Sequence, residues 1–174
     1  MNTSSTVSIR LAVSEDARFL PEIEKSAGEL FLTLPELAWI ADEPIGMADE
    51  FLPLILAGTV WVAEARASGI VGELRGTIAD DCLHIVELAV SRRFQQQGIG
   101  RALIDASAKW ARSRGMRDLT LTTFRHVAWY APFYARYGFR ELSLVECDGR
   151  LTSILMRETA HGLPNRCAMR LDLK

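Results

Sequence analysis

The residues whose types and spacing could do chemistry lie between Leu88 and Leu103, in the run Leu88-Ala89-Val90-Ser91-Arg92-Arg93-Phe94-Gln95-Gln96-Gln97-Gly98-Ile99-Gly100-Arg101-Ala102-Leu103. A strand-like apolar segment passes through a polar, glycine-bearing loop into a helical stripe. Such a junction makes an anion site. First-turn N–H groups have no intrahelical partner, the helix dipole favours negative charge there, and glycines let a phosphate approach the backbone without meeting a Cβ. Arg101 adds a direct charge. Two other phosphate motifs fail on the residues: a dinucleotide fingerprint needs a third glycine where Leu103 stands, and a Walker loop needs Gly-Lys-Ser/Thr after its spacer. The plain alternative is a glycine-assisted turn that binds nothing.

Those residues need elements to hold them. Val7 to Ala12 alternates like a strand, and Ser14 followed by Glu15 and Asp16 predicts a cap opening an acidic first helical turn, with Phe19, Leu20, Ile23, Ala27 and Leu30 on the helix. A second helix is expected from about Met47 to Ala57, after a broken stretch containing Pro35 and Pro44. Thr59 to Ala65, Ile70 to Ile78 and Cys82 to Val90 predict three sequential antiparallel strands, separated by turns at Ser68-Gly69 and Asp80-Asp81. Ile99, Leu103, Ala106 and Trp110 form the clearest helical stripe, ending in Arg112, Arg114 and a C′ Gly115. Leu119 to Phe124 predicts a strand, Ala131 to Tyr137 a short helix closed by Gly138, and Phe139 to Glu146 and Arg166 to Leu173 the last two strands. Glu158 to Asn165, with His161, reads as a long hairpin loop. The order is βααβββαβαββ, an α/β class (α+β mixed sheet) of about seven strands flanked by about four helices.

With 174 residues, 49% of them hydrophobic, the chain fits one domain, expected over residues 7–174 behind a flexible segment 1–6. A formal charge of −2 supplies neither a broad basic surface for nucleic acid nor a polybasic membrane anchor. Cys82, Cys147 and Cys167 are an odd number with no Cys/His ligand spacing, which points to a reduced setting without structural zinc. Met1 to Thr6 lacks the basic start and apolar run of a signal peptide, so a cytoplasmic location is the expectation.

Gln95-x-x-Gly98-x-Gly100, preceded by Leu88-Ala89-Val90 and followed by Ala102-Leu103, resembles motif A of the GNAT acetyltransferases. Phe133-Tyr134-Ala135-Arg136-Tyr137-Gly138-Phe139 resembles the family's motif B, and two motifs are far more specific than one. The resemblance implies a GNAT-like fold and acetyl-CoA as co-substrate, without a metal. Its pyrophosphate would be held by the loop Gln95, Gln96, Gln97, Gly98, Ile99, Gly100 and Arg101, and its pantetheine arm would pair with the backbone of Leu88, Ala89 and Val90 as an added strand. The chain departs from the family pattern at Gln95, often arginine, and at Val127, often asparagine; Trp129, Tyr130 and Pro132 make the second motif's helix start bulkier than usual.

The resemblance implies that Tyr134 donates a proton to, or hydrogen-bonds, the departing thiolate, which a phenol of pKa near ~10 can do. Packing at a helix start is the alternative. Glu87 is the candidate general base, since an ammonium acceptor must lose a proton before it attacks; a carboxylate on a solvated strand face is the other reading. His84 points to the opposite face of a regular strand from Glu87, and His126 and His161 read as loop histidines. Trp39, Trp61 and Trp110 read as core or lid packing.

The implied activity is direct transfer of acetyl from acetyl-CoA to a primary amine in a ternary complex, with a backbone amide near Val90 polarising the carbonyl oxygen. The acceptor is a small molecule or a peptide, with no nucleic acid or membrane partner; the family also allows a homodimer. A non-catalytic acyl-CoA-binding regulatory module and a plain interaction domain are the competing classes. Acceptor identity is set by loops and the first helices and is not written in the motifs.

Overall fold

The β-branched runs form strands where they are expected. In the computed structural model, which describes residues 7–173, these are β1 (Val7–Leu11), β2 (Val60–Ala65), β3 (Gly69–Ala79), β4 (Cys82–Val90), β5 (Asp118–Phe124), β6 (Arg140–Glu141) and β7 (Arg166–Asp172). The helices are α1 (Leu20–Gly28), α2 (Ala48–Leu56), α3 (Ile99–Ser113), α4 (Ala131–Tyr137) and α5 (Gly149–Ala160). The strands make one mixed seven-stranded sheet in the order β1-β2-β3-β4-β5-β7-β6. The segment 1–6, expected to be flexible, and Lys174 lie outside the described residues. By packing, the described chain divides into two compact units, residues 7–77 with 87–109, and residues 78–86 with 110–173.

In the first unit β1 pairs antiparallel with β2 from Val7↔Ala65 to Leu11↔Trp61, and β2 pairs antiparallel with β3. Leu20, Phe51, Ile55, Val60 and Val62 are buried together, so α1 and α2 put their apolar faces on the sheet. The first helix begins later than Ser14 suggests. Ser14–Phe19 is a 3-10 segment, and the side chain that orders the entry is Asp16, which accepts the Val13 N–H at 2.8 Å and ion-pairs with Arg10 at 2.6 Å. Pro21 then sits in the first turn of α1, where its missing N–H costs nothing. The buried face of α3 carries Ile99, Leu103, Ile104, Ser107, Ala108 and Ala111, so it is turned slightly from the stripe that Ala106 and Trp110 suggested.

In the second unit the start of β4 runs parallel to β5, from Cys82↔Asp118 to Ile85↔Leu121, and β5 pairs antiparallel with β7 along its length. Gly115 ends α3 as expected. Its φ of 70° lets the Met116 N–H reach back to the Ala111 carbonyl at 3.1 Å, the bond of a Schellman close.

One expected strand is corrected. Phe139 to Glu146 yields only the two residues of β6, and a fifth helix, α5, stands on residues for which no element was expected and on the first three residues of the expected loop Glu158 to Asn165. The reason is local hydrogen bonding. Ser143 folds back on Glu146, whose carboxylate accepts the Ser143 N–H at 2.9 Å and its hydroxyl at 2.8 Å. Two residues later Asp148 accepts the Leu151 N–H at 2.7 Å and caps α5. Leu151 then packs with Leu142 and Ala168. Glu158 therefore lies on a helix and His161 caps its C-terminus; the connection to β7 is only residues 161–165. Among the described residues no helix is long and apolar enough to cross a membrane.

Replacing Asp148 with alanine removes this cap at a cost of about 1 kcal/mol, which for a chain of this size lowers Tm by roughly 2–4 °C. Thermal unfolding of wild type and variant checks it; an unchanged Tm would show that α5 does not depend on its cap.

Candidate active site

The strand-loop-helix junction lies in the first unit and is held by short-range constraints. The Ser91 N–H donates to the Val71 carbonyl at 2.9 Å, joining the end of β4 to β3. At Gly72 the strands and the start of α3 meet: a Cβ there would sit 3.2 Å from the Ala89 carbonyl oxygen and 3.4 Å from Ile99 Cγ2 and Val90 Cγ2. Glycine is what permits this approach. Ile99 is thereby buried at the first position of α3.

Between the strand and the helix the backbone turns through left-handed conformations at Gln96 (φ 60°) and Gly98 (φ 82°). The space where a Gly98 Cβ would stand holds no protein atom within 4 Å. Ala102 N–H donates to the Gly98 carbonyl at 3.0 Å, closing the first turn of α3. Ile99, Gly100 and Arg101 therefore carry first-turn amides with no carbonyl one turn below them in the helix. An open glycine cradle at a helix N-terminus, with Arg92, Arg93 and Arg101 exposed around it, suits a phosphate.

The side chains of the loop are largely spent on the loop itself. Gln95 Nε2 donates to the Val90 carbonyl at 2.9 Å, and its Oε1 accepts from Arg92 Nη1 at 3.1 Å. Gln97 Nε2 donates to the Arg93 carbonyl at 3.1 Å. From α1, Ser26 Oγ accepts the Arg92 N–H at 3.0 Å and lies 3.2 Å from Ser91 Oγ. Gln95 and Gln97 thus shape the loop with their side chains, and their backbone is what they can present to an anion.

Just before this loop, Glu87 is half-buried on β4, and one of its oxygens accepts the Leu88 N–H at 3.2 Å. Leu88 and Val90 are partly exposed, whereas Ala89 is buried. Sequence reading missed its neighbour. Glu73, on β3, is 0% exposed, and neither carboxylate oxygen has a hydrogen-bond partner. Arg75 Nε lies 3.2 Å from Glu73 Oε2 but is itself without a hydrogen bond, because its N–H is not aligned on that oxygen. The same guanidinium is engaged by Glu24 of α1 through Nη2 and lies over the Phe51 ring of α2, 4.4 Å from its centroid. Burial first, and then the charge of Glu87, push the Glu73 carboxyl well above its ordinary pKa. Burial also pulls Arg75 below its usual range, with Glu87 opposing. The signal in the sequence was a glutamate inside Ile70 to Ile78, an apolar run where a charge is out of place.

In the second unit Tyr134 is 7% exposed on α4. Its N–H donates to the Tyr130 carbonyl at 3.0 Å, and its own carbonyl accepts from Gly138 and Phe139 at 3.1 and 3.0 Å. Its ring meets Phe133 and Phe139 edge-on, at 5.1 and 5.5 Å between centroids. Gly138, at φ 124°, makes the turn that brings Phe139 back onto Tyr134. His84 is buried there, with Nδ1 3.0 Å from Thr120 Oγ1; burial and then Arg150 hold its pKa near about 4, so it is a neutral packing group. His126 and His161 are exposed.

The model of the acetyltransferase (GNAT) domain family matches residues 57–141, a span that contains both sequence motifs and Glu73. Residues 57–141 belong to the GNAT acetyltransferases. The fold agrees along nearly the whole chain. PaiA N-acetyltransferase from Thermoplasma acidophilum, solved with coenzyme A, superposes with a TM-score of 0.73 at 17% identity, over 96% of this chain and 99% of that one. The ribosomal-protein-S18-alanine N-acetyltransferase of Escherichia coli gives 0.67 at 15%, over 97% and 95%. N-acetylglutamate synthase from Neisseria gonorrhoeae, complexed with coenzyme A and N-acetyl-glutamate, gives 0.69 at 20%, over 99% of this chain but 36% of that longer one. At these identities the likeness establishes the GNAT fold.

Replacing Gln95 with leucine removes the donor to Val90 and the acceptor for Arg92. Amide hydrogen exchange across residues 91–98 should then speed up on the order of tenfold, while residues 82–85 of β4 keep their protection. Equal exchange in loop and strand would show that the Gln95 side chain does not order the loop.

Proposed function

We propose that the chain is an N-acetyltransferase that transfers the acetyl group of acetyl-CoA to a primary amine by direct attack in a ternary complex. The observation that carries this reading is the open glycine cradle at the start of α3, preceded on β4 by a half-buried carboxylate. Acetyl-CoA, when bound, supplies an activated acyl carbon and a thiolate leaving group. The amides of Ile99, Gly100 and Arg101 bind phosphate oxygens, and the backbone of Leu88 to Val90 orients the extended arm by strand-like pairing. Glu87 accepts the proton of the acceptor ammonium at a carboxylate oxygen, which frees the nitrogen lone pair. A backbone amide near Val90 donates to the carbonyl oxygen as charge develops on it. Tyr134 gives its phenolic proton to the leaving sulfur. No metal takes part, and we place the enzyme in the cytoplasm as one catalytic domain.

The acceptor is a small amine or a peptide amine. Structural neighbours include one complexed with N-acetyl-glutamate and one named for a ribosomal-protein alanine, so both kinds of acceptor occur on this fold.

Coenzyme A should stabilise the native protein by about 2.7 kcal/mol at a hundred times its Kd, seen as a rise in Tm. No shift at millimolar ligand, with no heat of binding by calorimetry, would overturn the cofactor reading. Gly98→Ala places a Cβ in the cradle at a positive φ, so it should cost roughly 1 kcal/mol of stability and weaken coenzyme A binding at least tenfold; full affinity would place the anion elsewhere.

Tyr134→Phe keeps the ring contacts and deletes the OH. It should bind acetyl-CoA normally and lose on the order of 10²-fold in kcat. An unchanged kcat assigns the proton to water. A thiol-release screen over amines supplies the acceptor, and binding without turnover across the screen would favour a regulatory acyl-CoA-binding module.

A further inference from the structure

A carboxylate with no water contact and no hydrogen bond is costly when charged, and evolution has other residues for filling a strand position. Glu73 is in that condition, with charged groups and an aromatic ring gathered near it. From β3 itself comes Arg75, 3.2 Å away but misaligned; from β4 comes the charge of Glu87; Glu24 of α1 and the Phe51 ring of α2 reach the group through the Arg75 guanidinium. The one cation is therefore shared, and Glu24 has its better-directed nitrogen. Three carboxyls around a single guanidinium cannot all ionise cheaply. The most deeply buried of them is the one that keeps its proton.

We propose that Glu73 is a positioning residue that holds a proton beneath Glu87, so that the pair carries a single negative charge and Glu87 is the member left ionised to receive the proton of the acceptor amine. During transfer the N–H bond of the ammonium breaks and an O–H bond forms on Glu87; Glu73 keeps its own proton throughout. Were Glu73 charged instead, its repulsion would drive Glu87 to hold a proton before the amine arrived. Upward displacement of the Glu73 carboxyl by burial and by Glu87 agrees with this arrangement. The catalytic part of the inference rests on the acetyltransferase reading, whereas the shared proton rests on the buried cluster alone.

The experiment uses the whole protein and the Glu73→Gln variant, in which glutamine stands in for the protonated carboxyl. Infrared difference spectra at neutral pH should show the carbonyl stretch of a protonated carboxylic acid in wild type and not in the variant. Stability supplies a second readout with a definite sign. A native carboxyl with a raised pKa binds a proton that the unfolded chain has released, so wild type loses stability as pH rises above the ordinary value of 4.5. The Tm of Glu73→Gln should accordingly gain on wild type between about pH 5 and about pH 8. If the difference between variant and wild type instead stays constant or moves the other way over that range, Glu73 is ionised in the native protein as it is in the unfolded chain and the proposal is overturned, as it is if the acid band is missing.

Neither measurement needs coenzyme A or an amine, so failure of the acetyltransferase reading would leave them standing. With an acceptor in hand, the acid limb of kcat/KM should keep its position in Glu73→Gln. A limb displaced downward by about one pH unit would mean that wild-type Glu73 is already charged when Glu87 ionises, and would overturn the proposal. Should Glu73→Gln fail to fold, Glu87→Gln is read by infrared alone. The acid band should then titrate at lower pH than in wild type, and an unmoved band would show that the carboxyls are uncoupled.

Discussion

The close approach at Gly72 is the constraint on which the junction depends. With the Ala89 carbonyl oxygen 3.2 Å from where a Cβ would be, β3, the end of β4 and Ile99 at the head of α3 are brought within van der Waals contact of one backbone position. Packing at that density leaves little freedom to the short connection between β4 and α3. The loop must reverse within a few residues, and it does so through positive φ at Gln96 and Gly98. Once turned, it exposes N–H groups rather than carbonyls at the start of α3. The anion cradle is thus a consequence of how tightly the strand pair holds the helix start, and Gln95, Gln97 and Ser26 hold the turn by hydrogen bonds to its backbone.

Against that well-satisfied loop stands the cluster around Glu73, where both carboxyl oxygens and Arg75 Nε are buried without a hydrogen bond. A protein under pressure for stability alone would place an aliphatic residue there, as it does at the 0%-exposed Leu74 next in sequence. A buried carboxyl without hydrogen bonds has its proton affinity perturbed, and this one lies on β3, next in the sheet to the strand that carries Glu87 and leads into the glycine loop. The same first unit therefore contains a hydrogen-bonded glycine loop and a buried carboxyl without hydrogen bonds.

In the second unit one threonine and one arginine join several buried polar groups. Thr120 Oγ1 serves His84 at 3.0 Å, Cys82 at 3.2 Å and Arg150 at 3.3 Å, and Arg166 holds Glu158 through two of its nitrogens at 2.8 and 2.9 Å. Thr122 donates to the same Glu158 at 2.6 Å. These bonds fasten α5 to β5 and β7. Burial, with Arg150 second, keeps His84 neutral, and burial keeps its neighbour Cys82 a protonated thiol, raised to about 12 against the pull of the Thr120 hydrogen bond. Chemistry-bearing residue types are here used as structure.

How much of this was legible beforehand depended on the range of the interactions involved. The strands β2 to β5, the helix α3 with its Gly115 close and the helix α4 with Gly138 follow from local periodicity and from residues that act within one turn, and so they could be read directly. The glycine loop after Val90 was legible for the same reason. Local signals were also present for α5, in Ser143, Glu146 and Asp148, but apolar residues at Phe139 to Glu146 suggested a strand, and only the pairing of Leu142 with the Ala168 carbonyl shows where that strand gives way. For Glu73 the sequence offered only a charge inside an apolar run, and nothing about its protonation. Its charge state depends on Glu24, Phe51, Arg75 and Glu87, residues dispersed over four elements, and electrostatic energy in a low-dielectric interior depends on distance in space and not on separation along the chain. Sequence determined the elements and the glycine loop because those are set by neighbours in the chain; tertiary structure alone decided which carboxylate is stripped of water.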